Sequence, residues 1–224
     1  MSYASIDDLR AQLGGGKAPA DQAAYDAKMK HPIPPFRIVD RVAFILKHCE
    51  GKRVLEFGAS GPLTEQIRKV AADYRGVDRA HAHVAGCVLE HGIYRCVTGC
   101  VYGFDLDAII DEDDALPPYG WYQLPEVIIC GEVLEHLGNP QWFLTRLKRQ
   151  YPGVGVIVTV PNAFAAIGHS WIAKGIENVN ADHVAWYSPK TLSVLLERAG
   201  YGVGELFFYN GKDATAEGLI VVTE

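Results

Sequence analysis

Nothing in these 224 residues has the make-up of a membrane span or an export signal. No run approaches the ~20 apolar residues that a span needs. The Met1 end has no apolar core flanked by basic residues, so secretion is not expected. Cysteine is scarce as a framework: Cys49, Cys87, Cys96, Cys100 and Cys130 are odd in number, dispersed and without a C-x-x-C pair. That pattern excludes a zinc finger or a disulfide scaffold, since Cys96 and Cys100 have no second pair to complete a metal set. Reduced thiols in a cytoplasmic protein are the expectation. Positive charge is short as well. With 21 Lys+Arg against 27 Asp+Glu, the net charge is −6, which gives no footprint for wrapping a nucleic-acid backbone. Neither nucleic acid nor membrane is an expected partner. No internal repeat is visible.

What is present suits one globular domain: 49% hydrophobic and 21% charged residues, in a chain long enough to bury a full core. Residues 1–35 read as a helical appendage, with short helices over Ser5–Leu13 and Asp21–Lys30 separated by Gly14-Gly15-Gly16. His31-Pro32-Ile33-Pro34-Pro35 then forbids regular helix. This segment would serve as a lid or as the contact of a homodimer, and 36–224 would form the main domain.

From Phe36 to His48, Ile38, Val42, Ile45 and Leu46 recur at helical spacing. Strands are then predicted at Arg53–Phe57, Tyr74–Asp78, Ile93–Val97, Glu126–Cys130 and Val154–Val160, with a helix over Pro140–Arg149. The fifth strand is nearly all apolar, as a strand covered on both faces should be. Asp105–Asp114 reads as an acidic insertion. Ser188 and Pro189 open a helix whose apolar face is Leu192, Leu195, Leu196 and Ala199, and Gly200 ends it. Val203–Tyr209 and Leu219–Thr223 form a closing hairpin. This alternation predicts an α/β fold: a Rossmann-like, doubly wound, mostly parallel seven-stranded sheet with a C-terminal antiparallel hairpin.

In such sheets ligands bind at the carboxyl ends of the strands, near the switch point. The turn there reads Val54-Leu55-Glu56-Phe57-Gly58-Ala59-Ser60-Gly61-Pro62. Gly58 lets the backbone turn sharply and approach a ligand, and Pro62 suits a first helical position. Helix N–H groups then face ligand oxygens. Asp78 ends the next strand, where a carboxylate can accept both hydroxyl protons of an adenosine ribose. A dinucleotide fingerprint would need glycine at Gly58, Ser60 and Leu63, and the last two fail, which argues against NAD.

Glu56-Phe57-Gly58-Ala59-Ser60-Gly61 resembles the first motif of class I S-adenosylmethionine (SAM)-dependent methyltransferases. Gly76-Val77-Asp78 resembles their ribose-binding strand end, and Val160-Pro161-Asn162 their fifth-strand end. Val127-Ile128-Ile129-Cys130-Gly131-Glu132-Val133-Leu134-Glu135-His136-Leu137 is similar to the fourth-strand signature of the subgroup that includes ubiquinone-biosynthesis O-methyltransferases. Asp182-His183-Val184-Ala185-Trp186-Tyr187-Ser188-Pro189 resembles the segment entering their next helix. The resemblance spans about Arg37 to Thr223. It departs at Ser60 and Pro62, where such families usually carry glycine, and no acidic residue stands in Thr98-Gly99-Cys100-Val101 after the predicted third strand.

The resemblance implies methyl transfer from SAM, with S-adenosylhomocysteine as product, to an oxygen or nitrogen of a small-molecule or sugar acceptor. Cofactor-binding residues would be Glu56, Gly58, Ala59, Ser60, Gly61, Asp78 and Glu132, with Glu56 at the amino acid moiety and Asp78 at the ribose. The bland alternatives are a surface strand-end carboxylate for Glu56 and a helix cap for Asp78. His136 and His183 are the catalytic candidates. If a helix begins at Glu132, then Glu132, Glu135 and His136 share one face. Two carboxylates and an imidazole suit a divalent cation, an acid/base role or a brace for the fold, and no metal is assigned. RNA 3′-terminal 2′-O-methyltransferases combine Glu-x-x-Glu-His with a later histidine, matched here by Asp182, His183 and Trp186. That leaves a metal-dependent RNA enzyme, or a non-enzymatic SAM-binding subunit, as rivals. Residues 162–187 would supply the acceptor pocket through His169, Trp171, Asn178, Asn180 and His183, with Trp186 and Tyr187 as core members.

Overall fold

The computed structural model describes residues 22–78, 88–90, 93–96, 99–103, 106 and 124–224. The chain divides into two units, 1–33 and 34–224. In the first, the described helix is α1 (Gln22–Met29). The Ser5–Leu13 helix lies outside the described residues, as does all of the acidic insertion except Leu106.

The second unit opens with β1 (Ile38–Val39), α2 (Arg41–Cys49), β2 (Arg53–Phe57), α3 (Pro62–Val70) and β3 (Asp73–Asp78). Three short strands follow, β4 (Val88–Glu90), β5 (Ile93–Cys96) and β6 (Gly99–Gly103). Next come β7 (Val127–Gly131), a 3₁₀ turn at Leu134–His136, α4 (Pro140–Gln150) and β8 (Val156–Pro161). The chain ends with α5 (Ala166–Ile172), α6 (Pro189–Arg198), β9 (Val203–Tyr209) and β10 (Gly218–Thr223). Among the described residues no helix is long and apolar enough to cross a membrane.

Local chemistry explains the helix starts. Asp40 caps α2 by accepting from the Ala43 N–H at 2.8 Å, which is why the helix begins at Arg41 rather than Phe36. Asn139 does the same for α4 through the Trp142 N–H. Ser188 and Thr191 form a reciprocal box at α6, with Pro189 in the first position. The residues before α2 that the apolar spacing placed in a helix are drawn instead into β1, beside β9.

The sheet runs β1-β9-β10-β8-β7-β2-β3-β6-β5-β4. Seven of these strands, β9 to β6 in that order, make the expected sheet. Neighbours from β8 to β6 are parallel, and β10 is antiparallel to both β8 and β9. The order in which strands are added reverses between β2 and β7: β3 and β6 continue on one side, β8 and the hairpin on the other. The carboxyl ends of β2 and β7 therefore open the crevice where a ligand would lie. One strand corrects the sequence reading. Ile93–Val97 is not the third parallel strand; β5 runs antiparallel to β6, and β6 is the strand that pairs with β3. Pairing across the sheet, which no local apolar pattern encodes, decides between two adjacent short strands.

Alternation in the central strands fills both faces. Leu55, Phe57, Ile128, Cys130, Val156 and Val158 face α4 and α6 with Phe143, Leu144 and Leu196. Val54, Val127, Ile129 and Ile157 face α2 and α3 with Ile45 and Ile67. The hairpin carries one tight constraint. Gly218 pairs with Tyr209, and a Cβ at Gly218 would coincide with the Tyr209 ring. Gly218→Ala should push that ring aside and destabilise the fold by about 1–3 kcal/mol, the usual cost of overpacking. Urea unfolding measures it; an unchanged midpoint would show that the ring has room to move.

Candidate active site

The turn between β2 and α3 is shaped by one glycine. Gly58 has φ of 85°, and a Cβ there would stand 2.7 Å from Val133 Cγ2 and 3.0 Å from the Gly131 carbonyl oxygen. The Gly58 and Ala59 N–H groups both donate to the Val77 carbonyl, at 2.9 and 3.2 Å, lacing the turn to β3. Ser60 and Pro62 need no left-handed backbone: the described non-glycine residues with positive φ are Glu132 and Asn210. Pro62 sits at the start of α3 behind an extended Gly61. The unusual residues therefore leave a tight turn intact.

A cavity of about 530 Å³ opens over this turn. Of the expected binding residues, Glu56, Gly58, Ser60, Gly61, Asp78 and Glu132 line it, and so does His136. Ala59 is fully buried behind the turn. Sequence reasoning missed Arg41, Thr64, Leu106 and Val133, which also line the cavity, and named Asp182 only beside His183 in the RNA-enzyme pattern. Nothing near Arg41 in the chain marks it; only the packing of α2 brings it here. With β6 as the third parallel strand, the residues that follow it are Phe104-Asp105-Leu106, so a carboxylate does come next in sequence. Asp105 lies outside the described residues.

Glu56 is buried, 3% exposed, which overturns the surface-carboxylate alternative. The Tyr74 hydroxyl donates to its Oε2 at 2.7 Å. Burial pushes the carboxyl up to about 7, with the Tyr74 and Thr64 hydrogen bonds and the Arg41 charge pulling the other way. Arg41 stands with its guanidinium 5.4 Å from the Tyr209 ring centroid. Its Nη2 is 3.9 Å from Glu132 Oε1, and its buried Nε has no hydrogen-bond acceptor.

The segment after β7 differs from the helix expected at Glu132. Glu132 takes a left-handed φ of 55°, strained for a residue with a side chain, and only the single 3₁₀ turn follows. The two carboxylates take different surroundings. Glu132 Oε1 accepts from Thr159 Oγ1 and the Tyr209 hydroxyl, both at 2.8 Å. Glu135, His136 and His183 instead gather, with ligand atoms within 4.8 Å of one another. The three-residue face predicted from helical spacing is thus replaced by a cluster without Glu132.

Glu135 is 1% exposed, and neither of its carboxylate oxygens has a hydrogen-bond partner. Burial pushes this carboxyl up to about 8, and the Glu132 charge adds to the rise. Its backbone carbonyl accepts the Val184 and Ala185 N–H groups at 2.8 and 3.3 Å, which docks the segment bearing His183. The His136 and His183 rings meet edge to face with centroids 4.6 Å apart. A buried, unpartnered carboxylate beside two imidazoles fits a divalent cation, whose charge would satisfy those oxygens. Tyr187 is core, its hydroxyl on the Leu134 carbonyl at 3.1 Å. Trp186 is not core: it is 44% exposed and lines a second cavity of about 300 Å³ that also contains Asn178, Asn180 and His183.

A profile of the methyltransferase domain family matches residues 25–206, and the chain belongs to that family. Its fold is that of class I, SAM-dependent methyltransferases. The ubiquinone biosynthesis O-methyltransferase of Maricaulis maris (strain MCS10) is 28% identical over 131 residues, 55% of this chain and 48% of that protein. The chain thus spans about half the length of this curated relative. Among solved structures, a SAM-dependent methyltransferase from Mesorhizobium loti matches at 14% identity and a TM-score of 0.55, over 81% of this chain and 94% of that one. Magnesium protoporphyrin IX methyltransferase from Synechocystis PCC 6803, with bound S-adenosylhomocysteine, matches at 13% identity and a TM-score of 0.55, over 100% and 89%. A small RNA methyltransferase matches at 17% identity and a TM-score of 0.61, over 82% of this chain and 24% of that one.

Burial of Glu56 has a pH signature. The native carboxyl keeps its proton up to about pH 7, whereas its ordinary value is 4.5. Between those values the folded state binds more protons than the unfolded state, so the group's contribution to stability falls as pH rises through the window. Replacing it by Glu56→Gln should therefore widen the Tm difference, variant minus wild type, from pH 5 to pH 8 in protein free of ligand. A difference that stays flat with pH would show that Glu56 ionises normally.

Proposed function

We propose that this protein binds SAM in the larger cavity and transfers its methyl group to an oxygen, or a nitrogen, of a small-molecule or sugar acceptor presented at the His136–His183 pair. The observation that carries the reading is the set of polar side chains that line one cavity over the Gly58 turn. Asp78, at the end of β3, Glu56, Arg41 and His136 are all among them. Ribose hydroxyls suit the Asp78 carboxylate, and the carboxylate of an amino acid suits the Arg41 guanidinium, while its ammonium would favour the ionised form of Glu56. The close approach at Gly58, with the Ser60 and Gly61 backbone beside it, lets the ligand lie against the turn. Glu132, fixed by Thr159 and Tyr209, borders the same space.

When bound, SAM supplies an activated sulfonium methyl group and leaves as S-adenosylhomocysteine. The protein's part is to align the acceptor in line with that methyl, exclude water and take the acceptor's proton. His136 lines the larger cavity and His183 the second one, and their ring centroids lie 4.6 Å apart, which supports an imidazole as the acceptor of that proton.

A second reading is favoured by Glu135. A divalent cation held by Glu135, His136 and His183 would supply Lewis-acid polarisation of an acceptor hydroxyl. It would also give the two unpartnered oxygens their charge partner. The metal-dependent RNA enzyme is the narrower form of this reading, supported by the small RNA methyltransferase among the structural matches; the net charge of −6 counts against it.

Asp78→Ala should weaken SAM binding roughly 100-fold, the loss of two charge-assisted hydrogen bonds. Unchanged affinity by calorimetry would remove the ribose assignment. His183→Ala should lower kcat about 10²-fold or more while SAM affinity holds; an equal loss in both would mark a structural role. Treatment with EDTA separates the two readings of the cluster. Activity lost and restored by Mg²⁺ or Mn²⁺ supports the cation, and activity unchanged leaves proton transfer to the imidazoles alone.

A further inference from the structure

The second cavity carries chemistry that narrows the acceptor, given the methyltransferase reading above on which this inference rests. His136 lines the larger cavity and His183 the smaller, so the paired rings stand between the two. An acceptor in the smaller space would therefore present its reacting atom at His183.

The lining of that space is mostly apolar, with a few polar side chains set into it. Asn178, Asn180 and Glu217 line it with the Trp186 indole, and among its described lining residues there is no lysine or arginine. Asn162 is also present, but its amide is occupied, donating to the Ala214 and Ala216 carbonyls and accepting from the Phe164 N–H. Asn180 keeps its side-chain N–H₂ for a ligand, its oxygen accepting from the Asp182 N–H at 3.2 Å. Glu217 accepts from Asn210 at 3.2 Å with one oxygen. A phosphate or carboxylate on the acceptor would meet Glu217 without a compensating cation. Neutral hydroxyls, each both donor and acceptor, match amide, carboxylate and imidazole together. The flat Trp186 ring offers an apolar face beside them.

Phe164, Ile167, Ile172, Ile176, Val184 and Trp186, all between residues 164 and 186, are large apolar side chains left 39–65% exposed. Ile167 and Trp186 belong to the cavity wall as well, so the pocket itself has an exposed apolar edge, of the kind that an apolar group of a ligand can cover.

We propose that the smaller cavity takes the sugar ring of an uncharged glycoside, with its apolar aglycone along the Ile167–Trp186 rim and the methylated hydroxyl directed at His183. In the transfer, the hydroxyl oxygen forms the new C–O bond as the methyl–sulfur bond breaks. The electron pair stays on sulfur, and the hydroxyl proton passes to the imidazole. Methyl and hexyl glycosides of glucose, galactose and rhamnose, with methyl glucuronide as the anionic counterpart, test this on the full chain with labelled SAM, once calorimetry has measured SAM affinity. The expected result is transfer to neutral glycosides, with KM at least tenfold lower for hexyl than for methyl members and kcat/KM at least tenfold lower for the glucuronide. Glu217→Lys, at an exposed position, should shift the glucuronide-to-glucoside ratio at least tenfold toward the anion at constant SAM affinity. SAM bound without transfer to any neutral glycoside, equal KM for methyl and hexyl members, or preference for the glucuronide would each overturn the proposal and leave the methyltransferase reading standing. Failure to bind SAM at all would overturn that reading, and this inference with it.

Discussion

The site depends on how closely the first turn approaches the end of β7. Gly58 lies so near Val133 and the Gly131 carbonyl that a single methyl group would not fit. This contact brings two loops from opposite sides of the switch point into register. On one side is the turn that would hold SAM; on the other is the segment carrying Glu132, Glu135 and His136. The ladder beneath fixes their relative height, because Glu56 pairs with Ile129 and Phe57 with Cys130. A ligand lying on the Gly58 turn would share its cavity with His136.

Two buried carboxylates show where the fold departs from maximum stability. Glu56 has Tyr74 as a fixed donor and Arg41 nearby. Glu135 has no donor on either oxygen. Burying such groups unpaired costs several kcal/mol unless they stay protonated or gain a partner. Both also lie beside strain or close contact, Glu135 three residues after the left-handed Glu132 and Glu56 two before Gly58. Strain and unpaired polarity concentrated in one crevice fit a site organised for a ligand rather than for stability.

Much of this was legible in the sequence because the signals are local. Gly58, Gly61 and Pro62 mark a strand–turn–helix unit within a few residues, Asp78 marks the end of the next strand, and Ser188-Pro189 marks a helix start. What was not legible depends on distant partners. The choice between β5 and β6 as the third parallel strand rests on pairing with β3, and both are short. Reading the wrong one also moved attention away from Asp105. The helix expected at Glu132 failed because Thr159, Tyr209 and Arg41 hold its carboxylate across the sheet, and helical spacing carries no trace of them. Arg41 itself was hidden for the same reason. Trp186 looked like core because it is large and apolar; its neighbour Tyr187 took the buried position, and the indole was left at the mouth of a cavity.

Crystallising the full chain with S-adenosylhomocysteine tests the central claim most directly. Ribose density is expected against Asp78, amino acid density between Glu56 and Arg41, and the sulfur on the His136 side of Val133. Density in the smaller cavity instead, or none at saturating ligand, would contradict the assignment of SAM to the Gly58 turn.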